Sequence, residues 1–364
     1  MRSWLILAAA TAALATGCQQ GGSRGETEAG PEAVKDRACA VLAWALDSNQ
    51  PRLASMAAET FMEADRLPPV EVLRGLAESA DPRVRTTVVA LLGTMRRPDL
   101  KAVFQQRLQD PDPAVRLAAD FGLAMAGDTS EVLALRDALA SPNATLRRTA
   151  AWLLGLMGNR SAVGMLRVRL SDPDAVVALR AVEAIHRLGG ADGVEVVRDL
   201  TENERHEVRY YATRLLGQVG GTADIPRLER LCQSRFLDVK FAAIAALIRL
   251  GDLKRVNMLL DMLDAPNPSD SPDMNPRVLA ARELGETAYT PAVERLGRLL
   301  AARDPLERTT AAAAILRIQS ARQSWRTRVL ADKAPPQLVP AAAPASGPRT
   351  GPTLPPLAPG PPPR

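Results

Sequence analysis

Two histidines, three cysteines and two rows of arginine are the residues of this 364-residue chain whose types and spacing could do chemistry. His206 stands beside Glu207, a pair able to ligate a metal. The one further histidine, His186, leaves too few imidazoles for a multi-histidine centre. No Ser/His/Asp nucleophile set assembles from two histidines, and no glycine-rich phosphate loop follows a strand. No catalytic residue, metal or cofactor is therefore expected, and the chain reads as a non-enzyme. Cys39 and Cys232 fall at apolar helical positions, where thiols pack as core side chains.

The third cysteine, Cys18, ends the segment MRSWLILAAATAALATGC. Arg2 supplies a positive start and Trp4 to Leu14 an apolar run too short to span a bilayer of about 30 Å. The Ala-Thr-Gly-Cys end resembles a bacterial lipobox, although Ala15 stands where leucine is more usual. Residues 1–17 are thus expected to be a signal peptide, with Cys18 carrying the lipid of an exported, membrane-anchored protein. Gln19 follows directly, which favours the outer membrane of a double-membrane cell. Residues 18–30 are polar and glycine-rich, as in a flexible tether. At the other end, residues 334–364 form a proline-rich tail, with 12 prolines after residue 334, and proline excludes helix and central strand.

The arginines are spaced by a repeat. Asp81-Pro82-Arg83-Val84-Arg85 returns 31 residues later as Asp112-Pro113-Ala114-Val115-Arg116. Further steps give Asn143, Asp174, Arg205 and Phe236, and a backward step gives Gln50. After an insertion at APNPSDSPDMN, copies start near 273 and 304. Each copy predicts two helices. An Asp or Asn caps the first, often with proline next, and Gly127, Gly158, Gly189, Gly220 and Gly251 close it in left-handed conformation. The second carries apolar residues at i, i+3 and i+7, as in Val132, Leu135 and Leu139. Residues 34–46 fit the second-helix columns without a first helix, which predicts an N-terminal cap. The expectation is one elongated all-α solenoid over residues 31–333, nine helical pairs plus the cap, with no sheet. Its Cys39 and Cys232 lie about six repeats apart, too far for a disulfide.

Two short helices opened by D-P-x-V-R-x-x-A-A, best seen in Asp110 to Ala119 (DPDPAVRLAA), resemble HEAT repeats, above all the short bacterial phycobilisome-lyase-like type. The resemblance covers residues 50–333 and implies a solenoid fold without implying one activity. Deoxyhypusine hydroxylases, also HEAT-like, hold di-iron with several His-Glu pairs; this chain has one.

On that frame the arginine rows take positions. Arg85, Arg116, Arg147, Arg209, Lys240 and Arg308 follow the caps, with Asp81, Asp112 and Asp304 four residues earlier suggesting i,i+4 pairs. Arg74, Arg136, Arg167 and Arg198 lie on second helices, expected to line the concave face and there to meet the carboxylates or phosphates of a partner. Net charge is +5, but with Arg2, Arg349 and Arg364 set aside 43 basic residues face 41 acidic ones, which disfavours nucleic acid. The function expected is an envelope scaffold or adaptor for a protein or peptide. An enzyme-accessory or lyase-like protein handling a small ligand is the alternative.

Overall fold

The computed structural model describes residues 30–48, 50–64, 68–128, 132–265 and 275–333, with helix side chains from residue 32 to residue 320. Cys18, the signal segment, the tether up to residue 29 and the proline-rich tail lie outside the described residues. The described residues hold eighteen α-helices and no strand. They are α1 Pro31–Asp47, α2 Pro51–Glu63, α3 Val70–Leu76, α4 Pro82–Thr94, α5 Lys101–Arg107, α6 Pro113–Met125, α7 Val132–Leu139, α8 Ala144–Met157 and α9 Val163–Arg167. There follow α10 Ala175–Arg187, α11 Val194–Leu200, α12 His206–Val219, α13 Ile225–Leu231, α14 Leu237–Arg249, α15 Val256–Asp264, α16 Pro276–Gly285, α17 Ala292–Leu299 and α18 Pro305–Lys333. The architecture is the expected α-solenoid of two-helix repeats.

The chain forms two compact units. Unit 1 takes the described residues up to Leu91 and from Val197 onward; unit 2 takes Leu92 to Val196.

Capping follows the sequence. Asp112, Asn143, Asp174 and Asn275 accept backbone N–H groups of the first turn of α6, α8, α10 and α16, and Asp81 and Asp304 do the same for α4 and α18. Four members of the arginine ladder are structural, but their partners differ from those expected. The guanidiniums of Arg85, Arg116, Arg147 and Arg308 reach back to carbonyls of the preceding loop, as in Arg116 to Asp110 O at 2.7 Å. The capping aspartates are occupied by backbone amides, so the i,i+4 pair does not form. Gly127, Gly158, Gly189 and Gly251 have positive φ. Gly220 does not: its φ is −78°. Glycine serves there because a Cβ would come within 2.5 Å of Leu216 O.

First helices are buried nearly all round. In α14, Val239 and Phe241 to Ile248 are all covered, as expected of helices flanked on several sides. Glycine and alanine let them crowd. A Cβ at Gly217 of α12 would sit 2.6 Å from Ala246 Cβ of α14, and one at Gly285 of α16 would sit 3.0 Å from Ala314 Cβ of α18. Within unit 2, Gly155 of α8 meets Ala184 of α10 in the same way. Second helices bury one stripe, such as Leu259 and Leu263 of α15. One second helix is broken: α9 ends at Arg167 and a 3₁₀ turn, Val168–Ser171, continues it.

The last repeat departs from the expected nine pairs. α18 is a first helix that runs on without a turn, and among the described residues no second helix follows it. Within unit 1 the N-terminal helix α1 packs on α18 in that place, and α2 packs beside it. Leu42 and Leu46, the apolar face of α1, are at most 2% exposed, and Ala311 to Leu316 of α18 are equally covered. Arg308 lies over the Trp44 ring at 4.9 Å. The half-repeat expected to cap a free end therefore completes the final repeat. Cys39 on α1 is only partly buried, contrary to the core position expected of it, whereas Cys232 is buried.

Candidate functional site

The expected arginine row is largely engaged by the protein itself. Arg136, on α7 of unit 2, contacts the adjacent Asp137 at 2.9 Å. Arg167, on α9, reaches Asp192 at 3.1 Å. In unit 1, Arg198 of α11 grips Asp224 with two hydrogen bonds, 2.6 and 3.1 Å. The Arg198 hydrogen bonds hold the Asp224 carboxyl below the usual carboxylate range. Arg74, on α3, is half-buried and also engaged. The 25- and 26-residue separations of the Arg167 and Arg198 pairs show a row whose members tie one repeat to the next.

A second assembly, in unit 1, was not anticipated. Tyr210 and Arg214 of α12, Arg249 of α14, Arg282, Glu283 and the capping Glu286 at the end of α16, Arg317 of α18 and Glu63 of α2 converge. The Tyr210 hydroxyl donates to Glu283 Oε1 at 2.6 Å, and Arg282 Nε donates to the same oxygen at 3.1 Å. Arg282 and Arg214 face the Tyr210 ring at 4.8 and 5.8 Å. Arg214 binds Glu286 at 2.6 Å and Arg317 binds Glu63 at 2.5 Å. Arg249 donates to the carbonyls of Gly217 and Glu286. Burial, with Glu283 beside it, pushes the Tyr210 phenol far up. Burial opposes charge on Glu286, but Arg214, Arg317 and Arg249 outweigh it and hold the carboxyl low. Burial lowers the Arg249 guanidinium from its ordinary value.

The side chains that reach past a neighbouring repeat in unit 1, from α12 to α16, come from first helices. A sequence signal for the cluster existed: thirteen residues past the repeat starts at 50, 236, 273 and 304 stand Glu63, Arg249, Glu286 and Arg317, where the other copies carry Thr94, Met125, Leu156, Arg187 and Gln218.

The third feature is a pocket of about 540 Å³ between consecutive loops of unit 1, lined by four arginines and one carboxylate. Arg227 is fixed by Arg198 O, Thr201 Oγ1 and Glu202 at 3.1, 3.3 and 2.9 Å. Arg209 and Arg235 instead lie over the Phe236 ring, at 5.0 and 4.8 Å. His206 stacks on the same ring at 4.9 Å, which assigns that histidine to packing. Among the described residues no group of His, Cys, Asp and Glu is arranged to hold a metal. Cys232 is not poised as a nucleophile, since burial pushes its thiol up to about 11. No helix of the described residues is long and apolar enough to cross a membrane.

A family model for HEAT repeats matches residues 28–124, 70–141, 132–207 and 200–271, two thirds of the chain. The chain belongs to the HEAT-repeat family. Solved structures similar to this HEAT-repeat chain include YibA of Escherichia coli, at 15% identity over 81% of this chain and 99% of that one, with a TM-score of 0.37. The complex of CpcE and CpcF of phycocyanin lyase from Nostoc sp. PCC7120 is 17% identical over 68% and 94%, with a TM-score of 0.37. Human deoxyhypusine hydroxylase in complex with glycerol is 17% identical over 80% and 98%, with a TM-score of 0.31. No curated protein matches the chain in sequence.

Proposed function

We propose that this HEAT-repeat chain is a non-enzymatic scaffold of the cell envelope, exported, anchored by a lipid on Cys18, and binding a protein or peptide partner on its repeat surface. The observation that carries this reading is how the ionisable groups are spent. Arg147 binds Asp172 at the far end of its own copy, and Arg167 and Asp192, Arg198 and Asp224, and Arg227 and Glu202 each join one repeat to the next. Such pairs hold neighbours in register, which is what a binding surface built from several repeats requires. The groups with chemical potential are held inert: the Tyr210 phenol stays protonated and the Cys232 thiol stays a thiol.

The pocket beside Phe236 favours a second reading, a protein handling a small anionic ligand, because its lining comes from adjacent repeats. Affinity capture from detergent-solubilised membranes separates the two. A partner protein retained in near-equal amount supports the scaffold. A small molecule copurifying with the chain, with no protein partner, sinks it. Replacing Cys18 with Ala should abolish lipid labelling and release the protein into the soluble fraction; persistent labelling overturns the anchor.

A further inference from the structure

We propose that the pocket at Phe236 binds an acidic peptide segment, whose carboxylates take the guanidiniums of Arg209 and Arg235; this rests on the scaffold reading and names the partner's chemistry. Most arginines of unit 1 are bound to carboxylates or carbonyls. Arg209 and Arg235 are exceptions, since among the described residues neither has an ion-pair partner, and Arg209 Nε is buried with no hydrogen bond. Both are held by the face of Phe236, whose own backbone N–H is fixed by Ser234 Oγ at 3.2 Å. A guanidinium stacked on a ring keeps its N–H edge free and its plane set, which suits bidentate carboxylate.

Charge points the same way. The one carboxylate of the pocket, Glu202, is consumed by Arg227 at 2.9 Å, and Arg230 stands 3.9 Å from it with two thirds of its side chain exposed. The lining thus presents three cationic groups to whatever enters. The volume falls in the range of ligand pockets and the mouth is open to solvent, which admits a chain passing through as well as a compact ligand. Leu231 and Phe236 give apolar surface for the methylenes of Asp and Glu side chains.

The test uses the purified soluble Cys18→Ala chain and a fluorescein-labelled hexaglutamate peptide, read by polarisation, with hexalysine as the opposite-charge control. Saturable binding of hexaglutamate is expected. Arg209→Gln with Arg235→Gln should weaken it at least about tenfold, as the loss of charge-assisted hydrogen bonds requires. Arg148→Gln with Arg303→Gln, which removes the same charge from exposed positions elsewhere, should change it less than about twofold, in keeping with screening at exposed sites. Phe236→Leu keeps both charges and removes the platform, so it too should weaken binding, and circular dichroism confirms that each variant is folded. Equal losses in the two double variants, or no saturable binding, overturn the proposal. So does displacement of the peptide by equimolar inorganic pyrophosphate but not by unlabelled hexaglutamate, which makes the pocket a phosphate site. If membrane capture yields a partner that the Arg209/Arg235 double variant retains at full affinity, the pocket fails and the scaffold stands. If hexaglutamate binds as expected and no partner is captured, the scaffold reading fails and the pocket stands.

Discussion

Tyr210 donates its hydroxyl to Glu283 over 2.6 Å, so that α12 and α16 are joined across 73 residues of chain and past the intervening α14. Glu283 is fully buried, and its second oxygen has no hydrogen bond. Removing the donor leaves Oε1 to Arg282 alone and takes one charge-assisted hydrogen bond from a buried carboxylate, which costs about 1–3 kcal/mol. Tyr210→Phe is therefore expected to lower the midpoint of denaturant unfolding with an unchanged slope. An unchanged midpoint would show the bond to contribute nothing.

Acid should loosen the fold through Asp172. Burial opposes its charge, but the Arg147 hydrogen bonds and the Asp174 amide outweigh burial, and the carboxyl titrates below its ordinary value. A depressed folded value gives stability that is fully present above the unfolded value of about 3.9 and is lost as pH falls through the folded value. Asp172→Asn is expected to cost roughly 2–3 kcal/mol at pH 7. The gap from wild type should shrink below about pH 4. A gap that is constant with pH contradicts the linkage.

Ala288 has φ 55° and is exposed, fifteen residues past the repeat start at 273, where earlier copies place Gly127, Gly158, Gly189 and Gly251. An L-residue pays about 1 kcal/mol for that conformation. Ala288→Gly should therefore raise thermal stability despite the entropy that glycine adds to the unfolded chain. A lower melting temperature would contradict this.

Much of this fold was legible because the period is strict. Caps, second-helix stripes and closing glycines all depend on local residues, and Asp112, Asn143 and Asp174 act as expected. What the sequence hid is non-local. Nothing in α18 itself says that α1, from the other end of the chain, packs on it. The cluster of Glu63, Arg249, Glu286 and Arg317 was visible only as a charged column, and its meaning depends on contacts between first helices of different repeats. Arg136, Arg167 and Arg198 were placed on the right helices, but their aspartate partners lie 25 or 26 residues away or next door, outside any helical spacing. Charge reversal at Arg198 would now be read as damage to Asp224 pairing before it is read as loss of a partner.

Gly217 fixes how closely α12 approaches α14. A Cβ there would lie 2.7 Å from Ala246 Cα, a backbone atom that moves only with its helix. Gly217→Ala should cost about 1–3 kcal/mol, although alanine is the better helix former. Gly75, whose added Cβ would meet nothing within 4 Å, is the control. Gly75→Ala should stabilise α3 slightly, and equal effects at the two sites would sink the close-packing account.

The packing of α1 on α18 completes the last repeat, so the decisive measurement is hydrogen exchange on the Leu42→Asp variant, followed by mass spectrometry. Leu42 has no exposed surface, and its helix α1 packs on α18. Burying an unpaired carboxylate there should unseat α1. Residues 305–320 are then expected to lose protection together with residues 31–47, while α8 in unit 2 keeps its protection. If α1 alone loses protection and residues 305–320 exchange as in the wild type, α1 does not complete the last repeat.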